Sequence, residues 1–182
     1  MFEVSIKPEI KQRALSILET QNFGMRGQAD GSPEQQQVGL IGEMTVLDLY
    51  GINKSYNRDQ WDNGYDMICN GHYTDIKTMG RTVNMKDHYV HNFNSLQKDY
   101  ECNIYIFCSY NKSRDVLQIC GWIDKALLLK KASFHKQGST RYRDDGQPIE
   151  RKNADLYEIM NSDLKNINNL TDLYYVGKPK SP

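Results

Sequence analysis

The sequence has no excess of either charge: 23 Lys and Arg face 23 Asp and Glu across 182 residues. That balance excludes a globally basic nucleic-acid coat, so any polyanion must be met by a local patch. No apolar run approaches the roughly 20 residues of a membrane-spanning helix. The stretch MFEVSIKPEIKQRALS carries acids and lacks the apolar segment of a signal peptide, so the expected location is the cytoplasm. Cysteine is sparse. Cys69, Cys102, Cys108 and Cys120 form no CxxC pair and fall inside apolar stretches, which reads as reduced core thiols rather than disulfides or metal ligands. No phosphate-cradling loop is present, because GMRGQADG is not followed by Lys-Ser/Thr in the required place. Nothing supports a Ser or Cys nucleophile triad. Of the four histidines, His88 and His91 in DHYVH and His135 in SFHKQG read as surface residues.

What is there suits a soluble globular chain: 38% hydrophobic, 25% charged and 10% aromatic residues, expected to form one domain over 1–182. Pro8 followed by Ile10, Ala14, Ile17 and Leu18 predicts an amphipathic helix over 8–21. Ser32, Pro33 and Gln35 form a capping-box signature that opens a second helix, running to about Tyr50 and stopping at Gly51. Its apolar residues wrap more than one face, so it should be largely buried. Gly39 and Gly42 inside it cost helix propensity, and close approach to another backbone would explain them. Glu43 sits in the same apolar surroundings and needs a partner, such as Arg26 or a cation.

Two strands, 64–69 and 72–79, are joined by Asn70-Gly71, a strong hairpin signal. Residues 80–99 read as a loop leading into a short helix near Leu96. CNIYIFCSY (102–110) predicts a central strand and VLQICGWI (116–123) its return. A helix over 124–132 should be capped by Asp124. The stretch 133–153 reads as loop, 154–160 as a last strand, and NSDLKNINNL as a closing turn or helix. The order of elements predicts an α+β or α/β fold.

With Asn70 and Gly71 as the central turn residues, Cys69 pairs with His72, Ile68 with Tyr73, Met67 with Thr74, and Asp66 with Asp75. Period 2 then puts Asp66, Asp75, Lys77, Ile68 and Tyr73 on one face, and Tyr65, Met67, Cys69, Thr74 and Ile76 on the other. Like charges directly opposed are destabilising unless something neutralises them. A divalent cation with oxygen ligands would do so, and Glu43 would add a third carboxylate if its helix packs beside the hairpin.

Glu43 in a helix, GYD at 64–66 and DIK at 75–77 resemble the signature of the PD-(D/E)xK nuclease superfamily. Tyr65 stands where that family usually has proline. The resemblance covers roughly 30 to 175. It implies a restriction-endonuclease-like core, a central mixed sheet flanked by helices. It also implies Mg²⁺-dependent cleavage of nucleic-acid phosphodiesters, with Mn²⁺ able to substitute. Glu43, Asp66 and Asp75 would hold the metal, and Lys77 would sit beside the attacking water.

Between residues 125 and 143 lie Lys125, Lys130, Lys131, Lys136, Arg141 and Arg143 with no acidic residue. Phosphate contacts come chiefly from Lys and Arg, so this run is a candidate nucleic-acid surface. Arg81 and Lys86 beyond the hairpin, and Arg26 before the second helix, are further candidates. The expected activity is therefore a DNA endonuclease of restriction-like type, and two-strand cleavage would suit a homodimer. The alternatives are a structure-selective nuclease (a junction resolvase or exonuclease) and a non-cleaving nucleic-acid-binding module on the same fold.

Overall fold

The computed structural model describes residues 1–21, 31–56, 64–142, 147–150 and 154–178. The strands and helices in chain order are β1 (Phe2–Ser5), α1 (Pro8–Thr20), α2 (Pro33–Leu49), β2 (Met67–Cys69), β3 (His72–Arg81) and β4 (Val90–Asn94). They continue with β5 (Ile104–Asn111), β6 (Val116–Asp124), α3 (Lys125–Lys131), β7 (Ser133–His135), β8 (Thr140–Tyr142), β9 (Pro148–Glu150), β10 (Leu156–Met160), β11 (Lys165–Asn166) and α4 (Leu170–Tyr174). The architecture is mixed α+β. A six-stranded sheet runs β1-β6-β5-β3-β2, with β11 also on β6. The β3/β5 pair is parallel and the remaining pairs are antiparallel.

The most apolar strand takes the most protected place. β5 pairs on both sides, and Ile104 to Ser109 are all buried. Alternate residues of this sheet feed two cores. Ile76, Ile104, Ile106 and Cys108 pack with Ile10, Ala14, Ile41, Met44 and Leu47 of the long helices. Tyr105 and Phe107 join Phe93, Leu128 and Ile159 on the other face. There a second, three-stranded sheet, β4-β10-β7, supplies part of the cover. All four cysteines are buried free thiols, as their apolar settings indicated.

α2 forms as its sequence asks. The Ser32 and Gln35 side chains and backbones close the capping box, at 3.2 and 3.0 Å. At its other end Gly51 adopts φ +67°, and Gly51 and Ile52 donate to Asp48 and Leu47 carbonyls, a Schellman ending. The two internal glycines differ. A Cβ on Gly42 would stand 2.6 Å from Thr78 Cβ on β3, so this glycine lets helix and sheet meet, whereas nothing lies within 4 Å of that position on Gly39. Close packing accounts for the first glycine only.

Several expectations are corrected. β1 is a strand that a four-residue FEVS pattern is too short to announce. The stretch 80–99 holds strand β4 before the short helical turn Ser95–Asp99. The expected loop over 133–153 carries β7 and the β8/β9 pair. His91 is fully buried, its ring 4.9 Å from Phe107 and its Nε2 3.2 Å from Asn161 Oδ1. Its alternating strand position faces the core, which outweighs its polarity. Asp124 stands at the N-cap of α3 without capping it, because its carboxylate pairs with Lys165 at 2.6 Å. Among the described residues, no helix is long and apolar enough to cross a membrane.

Candidate active site

The hairpin forms in the expected register, with Met67 opposite Thr74, Ile68 opposite Tyr73 and Cys69 opposite His72. Asn70 (φ 48°) and Gly71 (φ 82°) supply the two left-handed residues of its tight turn. β2 then stops short. Asp66 N still donates to Thr74 O at 2.9 Å, but the next N–H of β3, on Ile76, goes to Asp66 Oδ2 at 2.7 Å. A side-chain carboxylate thus replaces the backbone acceptor where the ladder ends.

That substitution sets the site's geometry. A backbone N–H lies in the plane of the sheet, so Asp66 sits at the sheet's edge rather than squarely on one face. From there its carboxylate lies against the backbone of the residue after Asp75, near enough for its charge to act on the Asp75 carboxyl. Asp66 also faces Glu43 on α2, the two carboxylates being bridged by Lys54. Tyr65 accordingly leaves the face expected for it and stacks on Tyr73, ring centroids 4.4 Å apart. The backbone bend at Asp66 breaks the strict alternation on which that expectation rested.

Lys77 Nζ stands 2.6 Å from Asp75 Oδ2. Lys54 Nζ donates to Glu43 Oε1 at 2.9 Å and to Asp66 Oδ1 at 3.2 Å, and Tyr56 OH donates to the same Glu43 oxygen at 3.0 Å. Three carboxyls therefore share two ammonium groups. Burial, reinforced by the neighbouring Asp66 charge, pushes the Glu43 carboxyl up to about 8 despite Lys54 and Tyr56. Burial likewise pushes Asp75 up, to about 7, with Lys77 opposing and Asp66 assisting. Burial pulls the Lys77 ammonium down, but Asp75 and Asp66 more than offset it and leave it raised. Asp66 is the member that both other carboxyls feel.

Lys54 and Tyr56 carried no sequence signal beyond the need of Glu43 for a partner. Tertiary structure delivers them. The Schellman ending turns the chain back at Gly51. Arg13 of α1 then holds Asn53 Oδ1 at 3.2 Å and Lys54 O at 2.7 Å, while Gln21 Nε2 holds Tyr56 O at 2.7 Å. Helix α1 thereby clamps residues 53–56 over Glu43.

Compared with models of known families, curated proteins and solved structures, the chain matches none.

Of the basic candidates among the described residues, Arg81 and Lys131 have their partners elsewhere. Arg81 Nη2 donates to Val90 O at 2.6 Å, and its guanidinium lies 5.3 Å from the Tyr89 ring centroid, a strut from β3 to the start of β4. Lys86 is exposed, its ammonium 5.8 Å from the Tyr89 ring centroid. Lys130 and Lys136 are exposed, and Lys131 pairs with Asp163 at 2.9 Å. Arg141 belongs to β8. Arg26 and Arg143 lie outside the described residues.

A divalent cation can be tested against this donor set. Glu43, Asp66 and Asp75 offer hard carboxylate oxygens, the ligand type Mg²⁺ prefers. Burial raises the pKa of two of them, Glu43 and Asp75, and a bound cation would favour their ionised forms. The residues fit such an ion. In the present side-chain arrangement, no cluster of three acidic, His or Cys groups is closed into a cage among the described residues, and Lys54 lies between two of the three carboxylates.

Proposed function

We propose that this protein is a divalent-metal-dependent nuclease, a DNA endonuclease of restriction-like type on a restriction-endonuclease-like core. The observation that carries the reading is the convergence of four residues where β2 ends: Lys54 joins Glu43 to Asp66, Ile76 N–H holds the other Asp66 oxygen, and Lys77 pairs with Asp75. A folded chain avoids burying carboxyls against each other unless something uses them.

Glu43, Asp66 and Asp75 would hold Mg²⁺. Such an ion, when bound, lowers the pKa of a bound water and offsets charge on a phosphoryl oxygen. The chain's own groups do the rest. Ile76 N–H fixes one Asp66 oxygen, so that carboxylate is oriented before any ligand arrives. Tyr56 fixes Glu43 in the same way. Lys77, held against Asp75, places a permanent cation beside the position of the nucleophile, where it can orient a water and stabilise negative charge growing on the phosphate. The parallel β3/β5 pairing makes β3 a rigid support for both residues.

The test is cleavage of supercoiled, linear, branched and single-stranded DNA by purified protein with Mg²⁺ or Mn²⁺. Cleavage that is lost in Asp75→Asn and Lys77→Ala, with folding intact, is the expected result. If the parent cuts none of these DNAs, the reading fails, and a non-cleaving binding module takes its place.

A further inference from the structure

The geometry points to Lys54 as a built-in counter-ion that must leave before a divalent cation can take its full ligand set, an inference that rests on the metal-dependent reading above. Its ammonium donates to one oxygen each of Glu43 and Asp66, two of the three carboxylates that would hold the ion. The same carboxylates cannot give those oxygens to a cation while a protonated amine lies between them, because two positive centres would then share one small space. Lys54 binding and cation binding are therefore mutually exclusive.

Three observations support the exchange. First, the bridge is strongly placed: the Lys54, Glu43 and Asp66 side chains are only 20%, 15% and 9% exposed. An ammonium held there is a real competitor, unlike one in a solvated pair. Second, the backbone of Lys54 is pinned by Arg13 through its carbonyl oxygen. The exchange is thus a movement of the side chain, its carbonyl oxygen staying held. Third, the Lys54 ammonium already lies 5.7 Å from the Tyr56 ring centroid, an aromatic surface next to which a displaced cation can rest. Lys77 differs in kind, because its ammonium pairs with Asp75 at 2.6 Å and is not the one that bridges Glu43 and Asp66.

The device keeps the metal-free site folded by filling it with a tethered charge, and it sets a threshold cation concentration for activity. Removing Lys54 should strengthen cation binding while weakening the metal-free fold. A residue that is merely structural would do only the second.

The experiment is calorimetric titration of Mg²⁺ into the full-length parent and Lys54→Met, at constant alkaline pH so that the carboxyls are ionised in both. The variant is expected to bind at least about fivefold tighter, the scale of releasing one partly buried ion pair. Because Lys54→Met could misfold without cation, a second measurement uses the parent alone. Acetylation of Lys54 is followed by peptide mass spectrometry with and without Mg²⁺, with exposed Lys130 as internal control. Lys54 should label faster when Mg²⁺ is present, and Lys130 should not change. If the parent binds Mg²⁺ but Lys54→Met binds equally or less tightly, or Lys54 labelling does not rise, the exchange is overturned and the metal-dependent reading stands. If neither protein binds Mg²⁺, both fall.

Discussion

The two edges of the central sheet carry carboxylates that meet cations, yet their chemistry is opposite. At the β1 edge, Glu3 receives both guanidinium nitrogens of Arg114, at 2.6 and 2.7 Å, and Gln118 adds a third bond at 3.0 Å. The hydrogen bonds from Arg114 hold its carboxyl below the ordinary carboxylate range. At the β2 edge, Glu43 and Asp75 also touch ammonium groups, and both are pushed up. The difference is the ratio of charges and the depth at which they sit. One acid facing one cation in water behaves as a surface pair. Three acids sharing two cations, with Asp75 only 8% exposed in its side chain, cannot all ionise without help. A paired carboxylate is therefore uninformative by itself; an unbalanced, dehydrated group of them points to a task.

The widest separation of the two edges should come from activity. Asp75→Asn keeps the shape of the side chain and should lower cleavage by about a thousandfold, as expected for losing a charge that serves the reaction. Glu3→Gln should leave turnover unchanged. Equal losses at both edges, measured on one DNA substrate, would abolish the contrast.

Packing sharpens it next, because the β2 edge depends on α2 lying close to β3. Gly42→Ala drives a methyl into Thr78 and should destabilise the fold by about 2 kcal/mol or more in denaturant melts. Gly39→Ala meets nothing within 4 Å and should instead stabilise by up to about 1 kcal/mol. Opposite signs from two glycines three residues apart would confirm that only Gly42 is held by contact.

The pH dependence is smaller and has a definite sign. A carboxyl whose pKa is higher folded than unfolded binds more protons in the native state, so stability falls as pH rises through that interval. For Glu43 and Asp75 the interval ends near 8 and 7. His91 acts in the contrary direction: burial lowers its ring to about 4, so its contribution rises with pH up to its ordinary 6.5 and is complete above that. Above about pH 6.5 the carboxyls are left alone, and the melting temperature of metal-free protein should drop toward pH 8. Glu43→Gln should flatten the drop, and Asp75→Asn should remove only the part below about pH 7. A parent whose melting temperature climbs over that range would contradict the balance described for this edge. At the far end of the scale, Glu3→Gln should not shift the melting temperature resolvably, since exposed pairs contribute little.

Much of this was legible in the chain. The capping box, the Asn-Gly turn with its register, the central β5 and the buried thiols follow from local chemistry that no distant contact overrides. The catalytic candidates were legible as well, but not their arrangement. Strict alternation placed Asp66 and Tyr65 on opposite faces of a continued strand, whereas β2 ends at Met67 and Asp66 turns its carboxylate onto Ile76 N. Short strands such as β1, and a buried histidine such as His91, escaped because the pairing of the one and the burial of the other come from partners far along the chain.

The amino-acid sequence alone determined which residue types would stand near the hairpin, since turn geometry and period 2 act over a few residues. Only the tertiary structure decided that an open sheet edge would gather three carboxyls. It also decided that Lys54, delivered by the ending of α2 and clamped by α1, would be the charge lying between two of them. Local backbone preference is written residue by residue. The balance of charge in a dry site depends on which distant segments arrive there.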